Sequence, residues 1–309
     1  MYPKTSQLEQ ELMARLKENA GGNARAMSAT IIALSSKAHA DEVDQWVESL
    51  MGRRPARLLH LRGHSPDGLR SWSSARCALD RNDRGICFED VYIETLDDAA
   101  YQGRIWGPLV LRELPALLIW TLGPEALNSC EYDCSQRVDL TIIHGSWDLK
   151  HYKRGLPAYR DAVLGALHSS NPLVDITWEQ LLPLRYAFSR LFDMPYTQSI
   201  EDLNQIFIRL ADPWALHLMK GWIKDRTKGR SIQIDGILDP DYRDYSSEIT
   251  CTFTDGSRAS LMVRTPKQAE LRFRDGKLLQ VSLPDASIGA VLERIVDSPV
   301  MDTLYLRAL

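Results

Sequence analysis

No stretch of this 309-residue chain approaches the roughly eighteen consecutive apolar residues that cross a bilayer, so no membrane span is expected. The first twenty residues carry Glu9, Glu11, Arg15, Lys17 and Glu18. That is the pattern of an amphipathic helix, not the unbroken apolar core of a secretory signal. Cysteine is scarce: five residues, an odd number without regular spacing, which suits a reducing compartment better than a disulfide framework. A cytoplasmic protein is expected. The signatures of common enzymes are missing too, among them the Gly-rich phosphate loop, the Rossmann glycine fingerprint, His-Glu-x-x-His and Gly-x-Ser-x-Gly. Their absence weighs against the common nucleotide enzymes and zinc proteases. No excess of positive charge points to nucleic acid either, since the formal charge is −4.

What is present is an ordinary globular balance, 44% hydrophobic and 25% charged, in a chain long enough for two domains with separate cores. Leu8, Leu12, Met13 and Leu16 line one side of a helix over 5–19, which Gly21-Gly22 would stop. Met27–Ser35 and Ala56–Leu61 are apolar strands separated by an amphipathic helix, Asp41–Met51. This β-α-β order favours parallel pairing through a crossover. Ser71–Leu79 and Ile86–Thr95 alternate in character and are expected to pair antiparallel. Asp97–Leu111 is expected to be a helix, and Ala116–Leu122 and Val138–Ile143 further strands.

From Leu156 the pattern turns helical, over Leu156–His168, Pro183–Phe192, Ile200–Leu210 and Trp214–Lys228. After Ser231 it becomes β-like. Asp255-Gly256 and Asp275-Gly276 each sit between β-like runs, the signature of type I′ hairpins. A last helix, Ser287–Val296, is expected to cover the resulting sheet. The fold class is therefore an α/β N-terminal domain, a mixed sheet with flanking helices, followed by an α+β C-terminal region of helices, antiparallel hairpins and a helix. With the boundary placed in Gly145–Gly155, the domains are 1–150 and 151–309, the latter helical over 151–229 and β-rich over 230–309.

Chemistry-bearing clusters are few. Cys130-Glu131-Tyr132-Asp133-Cys134, with His144 and His151, matches no established zinc ligand spacing. His60-Leu61-Arg62-Gly63-His64 falls where a strand is expected to end, which suits either a surface role or ligand contact. Lys220, Lys224 and Lys228 recur at i, i+4 and i+8 with Arg226 and Arg230 nearby. They form either a solvated helix face or a stripe that meets an acidic partner. Trp106, Trp120, Trp147, Trp178, Trp214 and Trp222 suit core packing or interface anchoring.

A set of short elements resembles the OpcA family, the bacterial assembly and activating proteins of glucose-6-phosphate dehydrogenase. Asn23-Ala24-Arg25 precedes the first strand, and Pro55-Ala56-Arg57 opens the next. Leu114-Pro115 and Ile119-Trp120 follow. Asp175, Trp178, Pro183, Arg185, Phe192 and Asp193 complete the series in the family's order. Many relatives have Thr-Pro-Trp-Arg where this chain has Leu182-Pro183-Leu184-Arg185, so the threonine that would cap the helix is missing, at a cost of about 1 kcal/mol. A capping box from Thr177 to Gln180 is the expected compensation. In a plain packing reading, Arg185 pairs with Asp175 or Asp193.

The resemblance implies a non-catalytic protein that binds glucose-6-phosphate dehydrogenase as a regulatory subunit and promotes its active oligomer in the oxidative pentose phosphate pathway. It implies no cofactor, no metal and no catalytic residue. The candidate partner contacts are Trp178, Arg185, Trp214, Lys220, Trp222, Lys224 and Lys228. The competing reading is a sugar-phosphate-binding protein or enzyme that uses His60, His64 and nearby arginines.

Overall fold

A computed structural model describes residues 27–50, 53–63, 70–79, 85–95, 103–128, 138–153, 155–169, 172–193, 200–239 and 247–309, with Gln10 and Ala14. The helix expected over 5–19, apart from Gln10 and Ala14, lies outside the described residues, as do Gly21-Gly22, Asn23-Ala24-Arg25, His64, Cys130 and Cys134. The chain divides into two compact units. One comprises Met1–His144, Asp161–Asp175 and Ile288–Met301; the other comprises Gly145–Arg160, Ile176–Ser287 and Asp302–Leu309.

The first unit is built on a seven-stranded sheet of β1 (Ala29–Ser35), β2 (Ala56–Gly63), β3 (Arg70–Leu79), β4 (Gly85–Thr95), β5 (Ala116–Trp120), β6 (Leu140–Ile143) and β7 (Leu173–Asp175), in the order β3-β4-β2-β1-β5-β6-β7. All neighbours are parallel except β3, which pairs antiparallel with β4 at one edge. Every residue of β1 and of β5 is buried. Continuous apolar strands of this kind are what a sheet covered on both faces demands. The helix Ala40–Glu48 makes the β1–β2 crossover with Val43, Trp46 and Val47 inward.

The helix Ile288–Asp297 also belongs to this unit, which corrects its expected place over the C-terminal sheet. It packs on Ala40–Glu48 and the turn that follows. A Cβ on Gly289 would stand 2.5 Å from the Ser49 carbonyl oxygen, so glycine permits the approach. Arg53–Glu293 at 2.8 Å and Arg54–Asp297 at 2.6 Å flank it. An amphipathic stripe fixes that a helix is buried, but not against which partner. The helix expected over Asp97–Leu111 is described only from residue 103. There it is one short turn, Gly103–Trp106, running into a 3-10 turn, Gly107–Leu109.

The second unit holds a six-stranded sheet of β8 (Leu203–Leu210), β9 (Gln233–Leu238), β10 (Ser247–Phe253), β11 (Arg258–Thr265), β12 (Gln268–Arg272) and β13 (Leu278–Ser282), ordered β13-β12-β11-β10-β8-β9. Only β8 and β9 pair parallel, joined through the helix Pro213–Arg226. The helix expected over Ile200–Leu210 is instead a 3-10 turn, Ile200–Asp202, followed by β8. Leu203, Ile206 and Leu210 are buried at helical spacing. The register shift between Thr252 and Phe253 of β10 brings Leu203 onto the same face as Ile206, Ile208 and Leu210. A bulge disguises a period of two as a period of three to four.

Both Asp-Gly hairpins form, but with a different turn. Gly256 and Gly276 have φ of 79° and 80°, whereas Asp255 and Asp275 are not in the left-handed region. The amides of Phe253 and Gly256 bond the Ser257 and Phe253 carbonyls, and the second hairpin repeats the pattern at Phe273 and Gly276. Each is a three-residue loop closed by a left-handed glycine.

Candidate functional site

Trp178 and Arg185 meet in the second unit. The helices Ile176–Gln180 and Leu182–Arg190 follow one another with Leu181 still in helical conformation. The Leu181 amide bonds the Thr177 carbonyl, and the Arg185 amide bonds the Leu181 carbonyl. The preceding turn therefore continues the helical bonding that a threonine cap would have started. The capping box does not form. The Thr177 hydroxyl donates to Ser146 Oγ and accepts from the Ser146 amide, both at 3.0 Å. Gln180 donates to the Ala286 carbonyl at 3.4 Å.

The Arg185 guanidinium lies 3.6 Å from the centre of the Trp178 ring and donates to the Trp178 carbonyl at 3.2 Å. Its ion-pair partner is Asp302, at 3.6 Å, which corrects the expected Asp175 or Asp193. Asp193 pairs with Arg190 at 3.1 Å. Burial pulls the Arg185 pKa below its ordinary value, against the opposing pull of Asp302.

The remaining expected contacts lie on the helix Pro213–Arg226 and the turn after it. Asp212 starts the helix by accepting from the Ala215 amide at 2.6 Å. Trp214 is wholly buried, stacked on His217 at 5.4 Å and edge-on to Tyr159 at 4.9 Å. Trp222 is buried edge-on to Phe188 at 5.8 Å. Trp106, Trp120 and Trp147 are buried as well, so all six tryptophans singled out in the sequence are core residues. The large exposed indole is Trp72, at 38%, which strand alternation gave no reason to separate from the others.

Lys220, Lys224 and Lys228 take the opposite course and reach a cavity of about 880 Å³, with Arg160, Arg230 and Arg307 also on its wall. One acidic side chain, Asp225, lines it; it holds Lys228 at 3.2 Å and Arg307 at 3.9 Å. Among the described residues, no carboxylate pairs with Lys220 or Lys224. Arg307 and Ala308 stand here because the helix Thr303–Ala308 lies against Gly221.

In the first unit, His60 does not end a strand at the surface. It is buried inside β2, with Nδ1 at 2.6 Å from Asp44 and Nε2 at 3.2 Å from Asp90. Burial works against its protonation, but the hydrogen bonds and charges of the two aspartates outweigh it and raise the pKa. Arg62 pairs with Asp44 and lies 5.0 Å from the centre of the Tyr92 ring, which stacks on His60 at 4.2 Å and on Trp72 at 5.0 Å. Both imidazole nitrogens are thus committed to carboxylates, and neither is open to a substrate. Asp44 and Asp90 come from a helix and a neighbouring strand, and no local motif in the sequence links them to His60.

The strand order reverses between β1 and β5, the position where sheets of this kind bind dinucleotides. Here Thr121 Oγ1 donates across it to the Leu34 carbonyl at 2.7 Å. Trp120 Nε1 closes the β5 exit on the Gly123 carbonyl at 2.7 Å. The segment after β1 reads Ser36-Lys37-Ala38-His39, without the glycine that lets a phosphate approach the backbone. His144, one of the imagined zinc ligands, is buried and pushed down to about 4 by desolvation.

Residues 47–153 match the family model for the N-terminal domain of the glucose-6-phosphate dehydrogenase subunit, and residues 171–309 match the model for its C-terminal domain. No curated protein matches the chain. Among solved structures, a protein from Klebsiella pneumoniae described as an oxidoreductase aligns over 91% of this chain and 90% of its own, at 8% identity and a TM-score of 0.41. GenD2 from gentamicin A biosynthesis, in complex with NAD, aligns over 84% and 74% at 9% identity and a TM-score of 0.28. Likenesses this distant assign nothing to the chain. Between them the two domain models take in most of its length, and the chain belongs to the OpcA family of glucose-6-phosphate dehydrogenase subunits.

Proposed function

We propose that the chain is a non-catalytic cytoplasmic protein that binds glucose-6-phosphate dehydrogenase as a regulatory subunit and favours its assembled, active oligomer, in support of the oxidative pentose phosphate pathway. The observation that carries this reading is the match of both family domains, in order. The bridged β1–β5 switch position supports a regulator over a dinucleotide enzyme, as does the full commitment of His60 to Asp44 and Asp90.

A binding partner shifts an oligomer only by holding one arrangement more tightly than another. About 1.4 kcal/mol of differential affinity gives a tenfold shift. Of the proposed contacts, Lys220, Lys224 and Lys228, which line the basic cavity, would meet an acidic surface directly. Trp178, Arg185, Trp214 and Trp222 hold the helices that carry or neighbour them.

The test is a titration of the dehydrogenase from the same organism with the purified chain, followed by activity and light scattering. A saturable rise in rate with a co-migrating complex supports the reading. Absence of both would leave the family membership as a statement about fold alone.

A further inference from the structure

We propose that the basic cavity of the second unit binds a small anion that carries two or more phosphoryl groups. The site shares Lys220, Lys224 and Lys228 with the assembly reading but does not rest on it, because it is built within one unit and is testable on the chain alone.

Six cationic side chains converge on the cavity against a single acidic one. A main-chain carboxylate on Leu309 would add a second negative group and still leave an excess of positive charge. A helix carboxyl terminus favours cations by its dipole, which accounts for Lys224 and Lys228. It does not account for Lys220, well inside the helix Pro213–Arg226. Nor does it account for Arg160 and Arg307, which arrive from the helices Leu156–Ser169 and Thr303–Ala308. Asp225 serves Lys228 and Arg307, and Glu201 reaches Arg230 at 3.9 Å, so the repulsion an anion in the middle would relieve centres on Lys220 and Lys224.

Size and shape narrow the class. The volume, about 880 Å³, falls in the range of small-molecule pockets, roughly 300–1,000 Å³. Lys220 and Lys224 stand one turn apart on the helix, about 6 Å along its axis at 1.5 Å per residue, and Lys228 extends the row into the turn after Arg226. One orthophosphate cannot engage that row, whereas a chain of phosphoryl groups, or two at the ends of a short skeleton, can. Ile232 and Ile234 supply an aliphatic wall suited to such a skeleton. His217 is the only ring among the described residues of the lining, so the stacking platform that single-stranded nucleic acid uses is missing there.

His217 provides a reporter inside the site. Burial, then the positive charges of Arg160 and Lys220, push its pKa down, against a backbone hydrogen bond to Leu309. A bound anion cancels the charge contribution and raises it.

Calorimetric titration of the intact chain with inorganic pyrophosphate and tripolyphosphate, at fixed moderate salt, tests the proposal. The expected result is saturable 1:1 binding, with tripolyphosphate at least tenfold tighter than orthophosphate, and an upward move of the His217 titration midpoint followed by NMR. Lys220→Glu with Lys224→Glu should weaken tripolyphosphate more than tenfold, and the single Lys220→Gln and Lys224→Gln changes should weaken it less. Lys267→Glu, on an exposed turn of the β-sheet, should leave it unaltered. Thermal unfolding of each variant separates lost binding from lost fold. No saturable binding would overturn the proposal. So would equal loss in the Lys267 variant, an unmoved His217, or tighter binding of a short single-stranded RNA than of tripolyphosphate.

Discussion

Trp178 and Asp302, 124 residues apart, are joined by a 2.8 Å hydrogen bond from the indole Nε1 to a carboxylate oxygen. The same carboxylate faces Arg185 at 3.6 Å, and its other oxygen accepts from the Leu304 amide at 2.8 Å to start the last helix. Replacing Asp302 by alanine removes a helix cap, an indole acceptor and the counter-charge of a buried arginine together. We expect Asp302→Ala to lose about 2–3 kcal/mol, read as a lower denaturant midpoint. Asp302→Asn should retain part of that through cap and indole while losing the charge. A change below about 0.5 kcal/mol for alanine, the size of an ordinary surface substitution, would mean the contact is not formed in solution.

A side chain at position 221 should dislodge the final helix. A Cβ there would stand 1.8 Å from the Ala308 carbonyl oxygen, a main-chain atom that cannot swing aside. Gly221→Ala is expected to speed amide hydrogen exchange over residues 303–309, although alanine has the better helix propensity by about 1 kcal/mol. Equal or slower exchange would show that the two helices are not held in this close approach.

Stability should fall on both sides of neutrality through two different histidines. His144 is held near 4 in the folded chain, against 6.5 unfolded. The unfolded state therefore binds the extra proton between these values, and stability present above pH 6.5 is lost as pH falls toward 4, by about 3 kcal/mol. His60 has the opposite sign. Its raised pKa gives stability that is complete below 6.5 and lost as pH rises through the folded value. His144→Phe should flatten the acid limb of a stability-against-pH curve, and His60→Gln the alkaline limb. The acid limb unchanged in the first variant would exclude His144 as its source.

Cys251 should be inert in the native protein. It is wholly buried in β10, and desolvation pushes its thiol up to about 12, so almost no thiolate is present at neutral pH. Iodoacetamide labelling under mildly alkaline conditions, followed by peptide mapping, should leave Cys251 unmodified until denaturant is added. Labelling of the folded chain at the rate of a free thiol would contradict its burial.

Local pattern made much of this fold legible. The apolar runs of β1, β2 and β5, the antiparallel β3–β4 pair and the helix Pro213–Arg226 all announce themselves within their own windows. The family elements were equally readable, and several of their residues are packing residues: Arg57 bonds Glu89 and the Leu109 carbonyl, Trp120 the Gly123 carbonyl, and Trp178 Asp302. Partner choice was not legible. Nothing near Arg185 in the chain names Asp302, and nothing in the Ile288–Asp297 stripe names the helix it covers. β8 was missed because a bulge placed Leu203 at a helical interval from Ile206. Of the candidate site, the lysine row was readable from its spacing. The convergence of Arg160 and Arg307 on it was not, because both come from distant parts of the chain, Arg307 through the close approach of its helix to Gly221.

The helix Ile288–Asp297 has a consequence for synthesis. It closes the first unit through Ser49, Arg53 and Arg54, although some 240 residues separate the paired side chains. A nascent chain that has emerged only as far as β7 holds all seven strands of that unit's sheet, but not the cover for the helix Ala40–Glu48. The face of that helix that Ile288–Asp297 covers stays open until all the strands of the second sheet have been synthesised, and during that interval it is a surface for chaperones to guard.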